Sequence, residues 1–157
     1  LAGGNFSGNP YFQKISNRIR SNDIVLKPDL NYQQLKQLYA RGAIFWHACG
    51  LNETNPHLIE HFGMTTVEAM QNKCVPVVYD GGGQQEIVSH GLNGFRFKNI
   101  DQLQQFTLAL IKNKKLREDL VDAAYERSHD FNLKAFQNNI ENIFEDIDQE
   151  LCGVDAL

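Results

Sequence analysis

The chain has 157 residues, of which 42% are hydrophobic and 22% charged, with a formal net charge of −4. That length can bury one domain's core, and the mild acidity offers no electrostatic footprint for nucleic acid. No apolar run reaches the length of a membrane-spanning helix and no signal-peptide pattern leads the chain, so it reads as cytoplasmic.

Strand and helix patterns alternate from the first residue. Residues 1–4 look like the end of a strand leaving into a glycine turn. Residues 10–20 read as a helix with Pro10 in its first turn. A short apolar strand is expected over 23–27, and Asn31 caps a helix that stops at Gly42. Residues 43–48 read as a buried strand, followed by a polar loop from Cys49 to about His61. A helix over 65–72 leads into a strand over 74–79, a turn at Gly81, Gly82 and Gly83, and a short helix over 85–89. The last strand covers 94–98. Amphipathic helices over 101–112, 115–128 and 132–149 close the chain.

Such alternation predicts a parallel sheet. The expected fold is α/β: one Rossmann-like, doubly wound domain over residues 1–150 with helices at its C-terminal end, and a tail over 151–157. Leu1 enters part-way through the alternation. The chain is therefore expected to be the C-terminal half of a larger protein, with one strand–helix unit of this domain upstream. Residues 101–157 carry twelve acidic against six basic side chains, which a solvated helical face explains. Cys49, Cys74 and Cys152 are odd in number and lack C-x-x-C spacing, so they read as buried or idle thiols.

The stretch from Glu60 to Glu86 carries the chemistry. Glu60 and Glu68 stand eight residues apart, one on a loop and the other about one turn inside the next helix. Between them Gly63, Met64, Thr65 and Thr66 put unpaired backbone N–H groups at a helix start, where an anion can be held. Two separated carboxylates around an anion site suit a ligand bearing both hydroxyls and phosphates, such as a nucleotide-sugar.

Together, Glu60-x7-Glu68, the Phe62-Gly63 step, Glu68-Ala69-Met70, Pro76-Val77-Val78 and Gly82-Gly83-x-x-Glu86 resemble the C-terminal domain of GT-B glycosyltransferases of group 1 (family 4). The run from Phe45 to Gly50 leading into Glu60-His61-Phe62-Gly63 looks like one branch of that family. The resemblance spans about residues 1–144. It implies a retaining hexosyltransferase of polysaccharide or glycolipid synthesis. Glu60 would contact the donor sugar near the reacting carbon, and Glu68 the ribose hydroxyls. Backbone amides from Phe62 through Gly63, Met64 and Thr65 to Thr66 would hold the sugar and diphosphate. The base would rest near Leu26 and Lys27.

The family's Arg and Lys, which neutralise the diphosphate in place of a metal, would precede Leu1. So would most of the acceptor-binding domain and any peripheral membrane contact. The chain alone is therefore expected to be an inactive donor-binding half that needs no metal or other cofactor. A non-catalytic binding module derived from the same fold, or a sugar-nucleotide epimerase of that architecture, is the alternative.

Other signals have plainer readings. His57-x-x-Glu60-His61 matches a zinc-protease pattern, but Phe62-Gly63 breaks the helix that pattern needs. Asn5-Phe6-Ser7 and Asn52-Glu53-Thr54 are glycosylation sequons without a secretory signal. The glycine triplet is no G-x-G-x-x-G fingerprint and serves as a sharp strand-to-helix turn. Phe45 and Trp46 read as sheet packing, and Glu86 as a first-turn helix residue.

Overall fold

The computed structural model describes residues 2–3 and 10–154. The expected glycine turn at Gly4, the Asn5 sequon and residues 155–157 lie outside them. The described elements run β1 (Ala2–Gly3), α1 (Pro10–Arg18), β2 (Lys27–Pro28), α2 (Tyr32–Arg41), β3 (Ile44–His47), α3 (Met64–Gln71), β4 (Val75–Tyr79), α4 (Gln84–Ile87), β5 (Phe95–Phe97), α5 (Ile100–Lys112), α6 (Lys114–Ser128) and α7 (Leu133–Val154). Short 3-10 turns stand at Pro56–Leu58 and His129–Phe131. The fold is the expected α/β arrangement, with every described strand pair parallel.

β4 is the middle of the main sheet, with β3 and β5 on either side. Its Val-Pro-Val-Val run is buried throughout, as a strand covered on both faces must be. Side chains alternate between those faces. Val78 joins Val67, Met70, Ile87, Val88 and Ala124 in one cluster. Val75 and Val77 join Phe97, Leu110 and Leu120 in another. The Val75 N–H bonds Ala43 O on the β3 side, so the Pro76 nitrogen faces the β5 side, where pairing starts only at Val77 and Phe95, and no ladder bond is lost.

Three departures have physical causes. The expected strand over 23–27 shrinks to Lys27–Pro28, both exposed, which pair only with β1 in a separate two-stranded sheet. β3 was expected to be buried, yet among the described residues it pairs only with β4, and Trp46 is 55% exposed. The Trp46 indole instead donates across to Thr107 Oγ1 of α5 at 3.0 Å. Finally, α7 runs past the expected boundary at residue 150 to Val154. It leaves Leu133, Phe136, Ile140, Ile143, Phe144 and Ile147 exposed. Among the described residues, no helix is long and apolar enough to cross a membrane.

The helices begin where the sequence provides caps. Asn31 forms a capping box with Gln34, and Asn99 and Asn113 accept from the third residue of α5 and α6. α3 is different. It opens on Gly63 in the left-handed region, φ 110°, with no side chain capping it. A parallel sheet gathers its functional loops at the strands' C-terminal ends. Here the long loop after β3 and the glycine turn after β4 meet just before this uncapped helix.

Candidate functional site

Glu60 lies on the loop between the Pro56–Leu58 turn and α3. The turn ends at Ile59, so His57, Glu60 and His61 never share a helix and the zinc-protease spacing has no helical frame. Among the described residues, no group of three or more His, Cys, Asp or Glu side chains is placed to hold a metal ion.

His47, at the C-terminal end of β3, holds the Glu60 side chain. Its Nε2 stands 3.2 Å from Glu60 Oε2. Its Nδ1 stands 3.3 Å from the amide nitrogen of Gln84 in α4. The Gln84 amide oxygen in turn accepts from Thr66 Oγ1 at 2.9 Å, and both of these side chains are fully buried. Burial pushes the His47 imidazole below its ordinary pKa, against the opposite pull of the Glu60 carboxylate. The ring is thus neutral near pH 7, and its contact with Glu60 is a hydrogen bond rather than an ion pair. Glu60 Oε1 also accepts a long 3.4 Å bond from the Phe62 N–H.

Glu68 has a separate set of partners. One turn into α3, its carboxylate lies near enough to the Tyr39 hydroxyl of α2 to act on that hydroxyl's proton. Burial first, and then the Glu68 charge, push the Tyr39 hydroxyl up to about 12. Tyr32, Lys36, Tyr39, Glu68, Gln71 and Asn72 line a recess of about 120 Å³. A full small-molecule pocket is roughly 300–1,000 Å³, so the recess can seat only part of a ligand.

The residues between the two glutamates divide into two groups. Met64 and Thr65 are exposed at the start of α3, where first-turn N–H groups have no helical acceptor. Gly63 is buried, with its α-carbon against the Gln84 amide. Thr66 departs from the expected ligand set. Its N–H is committed to Gly63 O at 2.9 Å and its hydroxyl to Gln84. Phe62 packs edge-on against Phe131, with ring centroids 5.7 Å apart. Arg127 steadies that support, lying 4.8 Å over the Phe131 ring and donating to the Glu86 carbonyl at 2.7 Å.

Leu26 and Lys27 are not brought to this place by any described interaction. Leu26 is half-buried just before β2, and Lys27 is exposed within it. No hydrogen bond or ion pair among the described residues joins either to Glu60 or Glu68. Two cations at the C-terminal end of β5 are already engaged: Arg96 lies 3.4 Å and Lys98 3.7 Å from the Asp80 carboxylate.

The sequence reading missed His47, Gln84 and Tyr39. His47 and Gln84 belong to runs that carried the resemblance, but nothing in their spacing shows that a strand end and a four-residue helix meet. Tyr39 sits in an ordinary amphipathic helix, and only tertiary packing sets its hydroxyl against Glu68.

Comparison with known proteins gives three results. The family model for glycosyl transferases group 1 matches residues 2–127. The poly(glycerol-phosphate) alpha-glucosyltransferase of Bacillus subtilis (strain 168) is 30% identical over 86 residues, covering 53% of this chain and 12% of that protein. Among solved structures, Anabaena Alr3699/HepE in complex with UDP and glucose superposes with a TM-score of 0.74 at 22% identity, covering 93% of this chain and 40% of that one. The C-terminal domain of the glycosyl transferase group 1 family protein LpcC from Francisella tularensis gives a TM-score of 0.58 at 20% identity, covering 76% and 59%. At those identities the two structures speak for the fold alone. The chain spans only a minor part of the first two proteins' lengths.

Proposed function

The chain belongs to the glycosyl transferases of group 1, and from that premise we propose that it is the donor-binding half of a cytoplasmic, retaining hexosyltransferase. A nucleoside-diphosphate sugar would bind across the start of α3. The single observation carrying this reading is the pair of glutamates on either side of that uncapped start, Glu60 against His47 and Glu68 beside Tyr39.

Glu68 would accept the ribose hydroxyls in charge-assisted hydrogen bonds, with the base directed toward the β2–α2 connection where Leu26 and Lys27 lie. Tyr32 and Lys36, at the start of α2, share a recess with Glu68, which supports that direction. The diphosphate would sit at the N–H groups of Gly63, Met64 and Thr65, where the helix dipole favours negative charge.

Glu60 would face the sugar. As the bond from the anomeric carbon to the diphosphate breaks, positive charge develops on the sugar and negative charge on the leaving oxygen. A carboxylate beside the sugar stabilises the first, and the helix start the second. The acceptor hydroxyl then bonds to the anomeric carbon and gives its proton to the departing diphosphate oxygen, with retained configuration. The acceptor site and further cationic groups for the diphosphate are assigned to the rest of the protein that contains this chain.

Titration calorimetry with UDP, GDP and ADP on that full-length protein tests the reading. One of the three should bind at a single saturable site, and proton NMR of the transfer product should show the donor's anomeric configuration. Binding of none of them would sink the donor-site assignment, and an inverted anomer would sink retention.

A further inference from the structure

We propose that His47 is a positioning residue for Glu60: a neutral imidazole, its proton fixed on Nε2 by Gln84 and Thr66, that sets the orientation of the sugar-facing carboxylate. The inference rests on the donor-site reading of Glu60 and adds a residue to it.

A carboxylate on a loop has several rotamers, and its usefulness beside a reacting carbon depends on holding one. The loop provides little: the Phe62 N–H reaches Glu60 Oε1 only at 3.4 Å. The rigid neighbour is the strand. His47 pairs with Val78 in the β3–β4 ladder, its ring stacks obliquely on Phe45 at 6.2 Å, and its side chain is 15% exposed. From that anchored position Nε2 meets Glu60 Oε2 at 3.2 Å.

The remaining contacts fix the tautomer. With the Thr66 hydroxyl donating to the Gln84 oxygen, the Gln84 NH2 points at His47 Nδ1. Nδ1 must then accept, so the single ring proton sits on Nε2 and is donated to Glu60. The opposite tautomer would set the Nε2 lone pair against a carboxylate. An imidazolium would set an Nδ1–H against the amide hydrogens until Gln84 turned over. Glu60 is the charged group acting on the ring; Phe45, Val78 and Gln84 are its uncharged neighbours. Burial, the largest influence on the ring, favours the neutral form.

The same amide reaches further. A Cβ at Gly63 would lie 2.7 Å from Gln84 Nε2, so Gln84 packs directly on the start of α3. One buried side chain thus locates both the sugar-facing carboxylate and the helix start assigned to the diphosphate.

Two measurements test the inference. Long-range proton–nitrogen NMR on this chain reads the ring directly. At neutral pH His47 should be a neutral Nε2–H ring, and Glu60→Gln should shift its titration to lower pH. An Nδ1–H ring, an imidazolium, or a midpoint indifferent to Glu60→Gln would overturn the proposal whatever the enzyme does. In the full-length protein, release of UDP from UDP-glucose is then followed. His47→Leu removes the donor and should lower kcat about 10- to 100-fold with Kd for UDP unchanged, the scale of a hydrogen bond to a charged group. His47→Gln places an N–H near the former Nε2 and should restore most of that loss while flattening the acid limb of the pH profile. Equal kcat for wild type and His47→Leu, or no rescue by glutamine in a variant that melts like wild type, would overturn positioning. A wild type that binds none of UDP, GDP and ADP would instead count against the donor reading, leaving the NMR result to decide the tautomer.

Discussion

Gly83 donates its backbone N–H to the carbonyl of Glu60 at 2.9 Å, and a Cβ on Gly83 would lie 2.5 Å from the Phe62 α-carbon. The loops leaving β3 and β4 are therefore bonded into one wall. The backbone of Gly83 is ordinary, with φ −60° and ψ −17°, so glycine is required here by space and not by conformation. Gly83→Ala should cost about 1–3 kcal/mol of stability, as overpacking does. It should also weaken UDP binding by shifting the Glu60–Phe62 segment. Urea melts and calorimetry check both, and two unchanged values would show that the wall yields freely.

Glu68→Ala should weaken binding of the nucleoside diphosphate by roughly 1.5–3 kcal/mol, the worth of a charged hydrogen-bond partner. The ribose is remote from the reacting carbon, so the loss should be the same for the nucleoside diphosphate as for its sugar. Tyr39→Phe leaves the carboxylate in place but removes the hydroxyl beside it, and should cost about 0.5–1.5 kcal/mol of the same binding. Unchanged Kd for Glu68→Ala would reduce Glu68 to a helix residue.

Glu60→Gln should separate the two carboxylates. It keeps the shape and most hydrogen bonds but removes the charge that would face the anomeric carbon. Affinity for the nucleoside diphosphate should stay within about twofold while kcat for transfer falls by about 100-fold or more, the pattern of an interaction made in the transition state. Full turnover in this variant would remove Glu60 from the chemistry.

Tyr39 gives the fold an alkaline limit. An unfolded tyrosine loses its proton near 10, whereas folded Tyr39 holds its proton up to about 12. Between those values the folded chain binds the extra proton, so its contribution is full below pH 10 and fades as pH rises toward 12. Wild type should therefore lose stability relative to Tyr39→Phe between pH 9 and pH 11, as read from denaturant midpoints. A constant difference between the two chains would show that Tyr39 ionises as freely folded as unfolded.

Most elements were legible because their signals are local. Asn31, Asn99 and Asn113 announce helix starts by side-chain chemistry, and the Val75–Val78 run announces a strand buried on both faces. β3 misled because its residues are as apolar as those of a central strand, and the ladder alone decides which strand is the edge. The two glutamates stood out by spacing and company. Their partners did not, because Gln84 reaches His47 only after a parallel crossover has brought the two together.

That crossover has a kinetic side. In the β3–β4 ladder, Ile44 meets Val75 and His47 meets Val78 only when the entire intervening segment, Glu60 included, has been drawn closed. Closing a long loop spends chain entropy before the ladder returns anything, which makes parallel pairing slow. The Gly83–Glu60 bond and the His47–Glu60 contact both lie across this closure. The residues proposed to face the sugar thus also fasten a slow-forming part of the sheet, and changes at Glu60 or His47 should be felt in the rate of refolding as well as in turnover.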